Sequence, residues 1–549
     1  MPANLNHRKA PLSTLVRPST ARYPAGSMNE GAALPKAAGN SRALLGAEIF
    51  LIALVFFLNA RWPAPDGNET YYLEKAKHLW NPSWGRGVLF LESKNAHQVF
   101  YVLVGWLARF VSLWALAWIV RGCTWVLLAF AWQRLSFAVV PRRGWAVLSA
   151  ALLVAANERS SMAGEWIVGG AEAKGLAYVL VFIALWRLSR NDWNRVWPLL
   201  GGAVSMHPLV GGWAFAAMAL VWLSGPREPV RSPLPFLAGA LLALPGLWWA
   251  LLLNVGTQPS IVHRAAEIMV FERVPHHLLP SAFSSSNMLR HFGLWILLAT
   301  TMAFGRPFPA GLARLQRFAL SAMALAALGL LVAGVTKSRP GLQASVLQYY
   351  WFRLSDAVLP AVFVLTVLFL MTRLWISRPV RGRALLILLA LLGTMHLADR
   401  TRRIQSATAP RSDWMLSEPG AWRDVCAWVA AHTPESACFL TPPAGASFQW
   451  YSNRKDVVNW KDVPQDAVGI VTWWERMRDI HGPESPKGVA HAHRSLGELG
   501  AVRLRQLGDE YDADYAIIAR LPELPPLDLS EVYSNSGYTV VRLRSTPLE

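Results

Sequence analysis

The chain has 549 residues, 53% of them hydrophobic and only 16% charged, with a mean hydropathy of +0.28; soluble domains carry about 25% charged residues, so the composition excludes an ordinary soluble protein and favours one that lives in a bilayer. The net charge of +19 raises nucleic acid as a partner. The basic residues fall in short stretches between apolar runs, the signature of cytoplasmic loops, so no nucleic acid is needed to explain them.

Residues 1–41 are polar and rich in Pro, Gly and Ser, and read as a disordered cytoplasmic N-terminus. The first apolar run starts too deep in the chain for an ordinary signal peptide and reads as an uncleaved membrane helix. Apolar runs follow at about 43–60, 113–136, 144–157, 173–189, 195–206, 208–224, 233–253, 291–305, 314–335, 352–376 and 382–398. Basic clusters around Arg142, Arg190, Arg227, Arg231, Arg314 and Arg381 fall on one side of this pattern, with the N-terminus, which makes that side cytoplasmic. Segment 98–111 would span only about 21 Å as a helix, short of the roughly 30 Å of a bilayer core, and reads as interfacial or half-inserted. After residue 399 the pattern becomes that of a small α/β domain: helices near 419–432, 466–481 and 495–511, strands near 438–440, 514–520 and 537–544. The predicted fold is therefore mainly α. It is a polytopic membrane helix bundle of about eleven transmembrane helices over 42–398, with long outer loops 61–97 and 254–290 and an extracytoplasmic α/β domain over 399–549. That outer domain is expected to fold by itself. Three cysteines are too few for a disulfide scaffold.

Only fourteen of the 34 acidic residues precede Asp399, and about ten of those fall in outer loops. Acids beside hydrocarbon are costly, so the cluster marks a candidate site. The first outer loop carries Asp66, Glu69 and His97. A carboxylate there can serve as general base to a hydroxyl or hold a divalent cation against a phosphate; the same residues also fit a turn and an acidic helix start, with Asn68 as N-cap. Glu165, Glu172 and Lys174 flank a membrane helix, as ligand groups or as a structural ion pair. His207 sits at a Pro-Gly break in a long apolar stretch, lining a cavity or making a tight turn. Arg273, His276 and His277 in the third loop, and Arg353 with Asp356 at the mouth of a later helix, can bind an anion or lie as a solvated interfacial face. No P-loop, nucleophile elbow or zinc motif is present.

A long outer loop with an acid (DGNETYYLEKAKHLW), a His-led half-helix (HQVFY), eleven or more crossings and a soluble outer domain together resemble the GT-C superfamily of integral-membrane glycosyltransferases. The strings EWIVGGAEAKG, HPLVGGW, RVPHHLLP and YYWFRLSD are also similar to a bacterial membrane-protein family with a C-terminal domain of unknown function. The GT-C resemblance implies a catalytic acid in the first outer loop, at Glu69 or Asp66 with Glu69 the better match, and a polyprenyl-phosphate-linked sugar as donor. The resemblance to the bacterial family implies residence in the bacterial inner membrane as a multi-pass protein. His97, Glu165, Glu172, Lys174, His207, Arg273, His276, His277, Arg353 and Asp356 become candidate substrate-binding residues. A transporter or lipid-binding protein using the same cavity is the other reading, as is an envelope assembly protein acting through its outer domain.

Overall fold

The computed structural model describes residues 41–225, 232–482 and 493–544. The expected N-terminal tail, the basic residues Arg227 and Arg231, and residues 483–492 of the C-terminal region lie outside the described residues. The chain divides into a short N-terminal unit, Met1–Leu45, and a compact unit, Gly46–Glu549.

Every apolar run is a helix. In chain order these are Ser41–Ala60, Leu113–Val139, Trp145–Ser160, Ala173–Ser189, Trp193–Met206, Pro208–Ser224, Leu234–Leu252, Ser285–Phe304, Ala310–Val335, Arg353–Ser377 and Pro379–Gln405. Among the described residues six are long and apolar enough to cross a membrane: the first two, Leu234–Leu252, and the last three. The other five are shorter or carry more polar residues. Prolines open the helices at Pro208 and Pro379, where a missing N–H costs nothing. Helices Trp193–Met206 and Leu234–Leu252 cross at Gly201 and Gly239, where a Cβ on Gly201 would lie 2.0 Å from the Gly239 carbonyl oxygen. Small residues let membrane helices approach this closely.

The awkward segment is short as expected. It forms a helix over Gln98–Gly105 and a 3₁₀ turn over Trp106–Arg109. The preceding stretch is a π-helical turn, Thr70–Glu74, running into a helix, Lys75–Trp80. Its apolar residues Leu73 and Ala76 are fully buried against Phe100, Tyr101 and Val104, so they face protein and not an interface. Asn68 does not cap this helix; Glu69 occupies that position, with no side-chain cap bond.

The C-terminal region holds a five-stranded mixed sheet, ordered β2-β1-β3-β5-β4, with β1 Cys438–Leu440, β2 Lys455–Asp456, β3 Tyr515–Ala519, β4 Ser530–Ser534 and β5 Tyr538–Arg542. β1 pairs parallel with β2 and β3; β5 runs antiparallel between β3 and β4. Strand β3 reads YAIIA, a continuous apolar run, because both its faces are covered. Tyr515 and Ile517 pack with Trp422 and Val425 of helix Pro419–His432. Ala516 and Ile518 pack on the other side with Trp473 of helix Ala467–His481, in a core completed by Ala265 and Ile268 of the third outer loop. One of the two cores of the C-terminal region is completed by Ala265 and Ile268 from the loop at 254–290. Cys123, Cys426 and Cys438 are all free thiols.

Candidate site: a cationic cavity beside a buried acid

Nine of the expected residues line one cavity of about 470 Å³: His97, Glu165, Glu172, Lys174, His207, Arg273, His276, His277 and Arg353. They come from four separate loops and helix mouths, which the fold gathers. Glu165 is the hub. Its carboxylate meets the Arg353 guanidinium at 3.0 Å, lies 3.6 Å from the Lys174 ammonium and accepts a 3.0 Å bond from the Tyr178 hydroxyl. Lys174 also reaches Glu172 at 3.4 Å and lies over the Trp166 ring, 3.5 Å from its centroid. The Arg273 guanidinium lies over Trp460. Lys461, which sequence reading passed over, adds a fourth cation from the C-terminal region and donates to the Asn68 side chain. Four cations thus face two carboxylates. Leu209, Ala250, Leu253 and Leu278 supply an apolar wall.

The histidines of the outer loops add little charge. Burial, with Arg353 and Lys75 nearby, pushes His97 down to about 3. Burial likewise lowers His276 and His277, and Arg273 beside His276 acts in the same direction. His277 Nδ1–H donates to the Ala163 carbonyl at 2.6 Å, which fixes its neutral tautomer. His207 closes the break between two helices: its Nδ1 accepts from the Val210 amide at 3.3 Å and its ring lies 4.6 Å from that of His97.

Lys461 is the titratable cation. Burial and the neighbouring Arg273 lower it to about 8. If its ammonium contributes to holding an anion, phosphate affinity is present below that value and falls as pH rises through it. A phosphate titration between about pH 6.5 and 9.5 is expected to show that fall, and Lys461→Arg, whose guanidinium stays charged, to remove it. A flat wild-type profile would take Lys461 out of the anion site.

Three expected residues, Asp356, Glu69 and Asp66, sit elsewhere. Asp356 is fully buried and lines none of the three main cavities; its carboxylate accepts from the amides of Met162 and Ala163 at 2.7 and 2.8 Å and from the Ser161 hydroxyl. These bonds, with a 3.3 Å one from the Glu165 amide, hold the turn that leads into Glu165. Glu69 is also fully buried and lines none of these cavities. Arg121, deep in helix Leu113–Val139, grips both its oxygens at 2.5 Å. The Ala171 amide donates to one oxygen at 2.8 Å and the Asp66 amide to the other at 2.7 Å. A Cβ on Gly170 would lie 2.9 Å from the same carboxylate, so glycine there permits the close approach. The signal for Arg121 was present in the sequence as a lone arginine inside the apolar run ALAWIVRGCTWVLL, which needs an internal partner.

Asp66 is placed differently. It lines two further cavities of about 250 Å³ each, and Trp166 borders both of them and the cationic cavity. Its carboxylate accepts from the Gly67 amide at 2.7 Å and faces Arg411 at 3.4 Å. Arg411 lies among the rings of Trp62, Trp166 and Trp414. A divalent cation does not fit this pair of acids. Asp66 faces a guanidinium, the oxygens of Glu69 are taken, and no metal-binding group of three His, Cys, Asp or Glu side chains occurs among the described residues.

Comparisons with known proteins are of three kinds. A family described as "Domain of unknown function (DUF6798)" matches residues 420–480. No curated protein matches the chain. The solved structures it resembles include ArnT from Cupriavidus metallidurans, bound to undecaprenyl phosphate, at 14% identity and a TM-score of 0.47, covering 93% of this chain and 99% of that one. The oligosaccharyltransferase AglB from Archaeoglobus fulgidus, in complex with an inhibitory peptide and a dolichol-phosphate, is similar at 12% identity and a TM-score of 0.41, covering 87% of this chain and 70% of that one.

Proposed function

We propose that this chain is a membrane glycosyltransferase that moves a sugar from a polyprenyl-phosphate donor to an acceptor on the extracytoplasmic side. The carrying observation is the cavity in which Lys174, Arg273, Arg353 and Lys461 face an apolar wall. That combination suits a ligand that is anionic at one end and hydrocarbon at the other, because charge-assisted bonds hold phosphate while apolar surface takes a lipid chain. Asp66, which lines the two cavities on the other side of Trp166, takes the role of general base. It accepts the proton of the acceptor hydroxyl. The freed oxygen attacks the anomeric carbon, the bond from that carbon to the phosphate oxygen breaks, and its electron pair leaves with the lipid phosphate. Arginine and lysine around the cavity stabilise that growing charge. Glu69, favoured from the sequence, becomes a positioning residue that holds the Asp66 backbone.

Purified protein with a polyprenyl-phosphate sugar should release free polyprenyl phosphate. Arg353→Gln is expected to weaken donor binding by roughly 10- to 100-fold, the loss of one charged bond of about 1.5–3 kcal/mol. Unchanged donor binding in that variant would sink the assignment of this cavity.

In the same reading the N-terminus is cytoplasmic and residues 400–549 are outside. The support is the single-sided distribution of Arg142, Arg190 and Arg381. Reporter fusions at Arg143 and Arg190 should read cytoplasmic, and one at Glu549 external; a cytoplasmic signal from Glu549 would overturn the topology.

A further inference from the structure

The cleft on the Asp66 side of Trp166 differs from the cationic cavity in ways that specify its own ligand. It is lined by Trp166, Trp414 and Trp460, with polar groups from Asn68 and Ser412 between them. Its charges balance: Asp66 and Glu172 stand against Arg411 and Lys461. Its rim reaches solvent, since Trp414 and Met415 are more than half exposed. We infer that this cleft is the acceptor subsite and that the acceptor is a neutral saccharide arriving from the aqueous side; this rests on the glycosyltransferase reading and names its second substrate.

Three indole side chains border one small cleft, and such amphipathic rings suit a ligand with apolar C–H faces and polar edges, which is the surface of a sugar ring. The balance of charge decides between ligand classes. An anionic acceptor would gain from an excess of cations, as in the neighbouring cavity, and an amine from an excess of carboxylates; this cleft has neither excess. Its volume of about 250 Å³ lies just below the roughly 300–1,000 Å³ of drug-sized ligand sites, room for a ring or two at the end of a longer glycan. The geometry is also productive. A sugar hydroxyl in this cleft lies in the space that Asp66 lines, and Trp166 and Glu172 border both that space and the donor cavity.

The test uses the full-length chain in a sugar-free detergent and saturation-transfer NMR with cellobiose, maltose, glucosamine, glucuronate and a neutral tripeptide as probes. A neutral disaccharide should bind in preference to the charged sugars and the peptide. Trp414→Ala should weaken that binding by at least about tenfold, or 1.4 kcal/mol. Trp414→Phe, which keeps an aromatic face, should recover part of it. Binding of inorganic phosphate should be the same in both variants as in wild type, which shows the fold and the cationic cavity intact. The inference is overturned if no neutral sugar binds, if a charged sugar or the peptide binds better, or if Trp414→Ala leaves sugar binding unchanged. The two readings fail separately. Transfer from a lipid donor to a non-sugar acceptor would remove the saccharide and keep the glycosyltransferase. Specific sugar binding in a chain that never consumes a polyprenyl-phosphate donor would do the reverse.

Discussion

Asp66→Asn should abolish most transfer while leaving the protein folded. The amide oxygen of asparagine can still accept from the Gly67 amide, so the turn survives the change. What is lost is a base able to take a proton, worth typically 10²–10⁴-fold in rate. The 3.4 Å ion pair with Arg411 is lost too; Asp66 is only 6% exposed, but Arg411 is 28% exposed and keeps its place among the rings of Trp62, Trp166 and Trp414, so water can solvate the guanidinium left behind. Rate and stability are therefore expected to separate in this variant: a transfer assay falling by two orders of magnitude or more, against an unfolding profile close to wild type. Wild-type transfer by Asp66→Asn would remove it as the base.

The second large effect is one of stability. Arg121 and Glu69 are both fully excluded from solvent, bound through two contacts at 2.5 Å, with the Trp62 carbonyl taking a third arginine N–H at 2.6 Å. Removing one partner of such a pair leaves an uncompensated buried charge, which costs about 3–5 kcal/mol. Arg121→Met is expected to lower thermal resistance of the purified protein by that order, and Glu69→Gln to do much the same from the other side. The double variant should lie above the sum of the single losses, since neither charge is then left alone. Additive losses would mean the pair is not the clamp drawn above. Transfer falls in these variants as well, because the Asp66 amide is a donor to Glu69, but here the loss of rate follows the loss of fold. That coupling distinguishes a positioning residue from the base.

Much of the architecture was legible because periodicity and hydropathy are local. The helix Ala173–Ser189, the helix Pro208–Ser224 and strand Cys438–Leu440 stand where the pattern put them, since apolar run length, proline and glycine determine such elements without reference to the rest of the chain. The two-residue strand at Lys455–Asp456 and the polar edge strand Ser530–Ser534 escaped, having too little apolar pattern of their own.

Residue type also identified what could line a polar site at a membrane. Glu165, Lys174, His207, Arg273 and Arg353 are costly at such positions, and the cavity collects them. Which of the two acids lines a cavity was not legible. Asp66 and Glu69 are three residues apart and chemically alike, and the sequence resemblance favoured Glu69. Tertiary structure separates them by bringing Arg121, more than fifty residues away, onto Glu69 and leaving Asp66 at the cavity wall. Asp356 was likewise diverted to the amides of Met162 and Ala163, and Lys461 arrived from the C-terminal region to meet Asn68. The sequence by itself determined the elements, the membrane class and the stock of charged groups, because each is a property of residues near one another in the chain. Only the tertiary structure decided which of those charges neutralise each other in the interior and which remain available to a ligand, because burial and pairing are properties of neighbours in space.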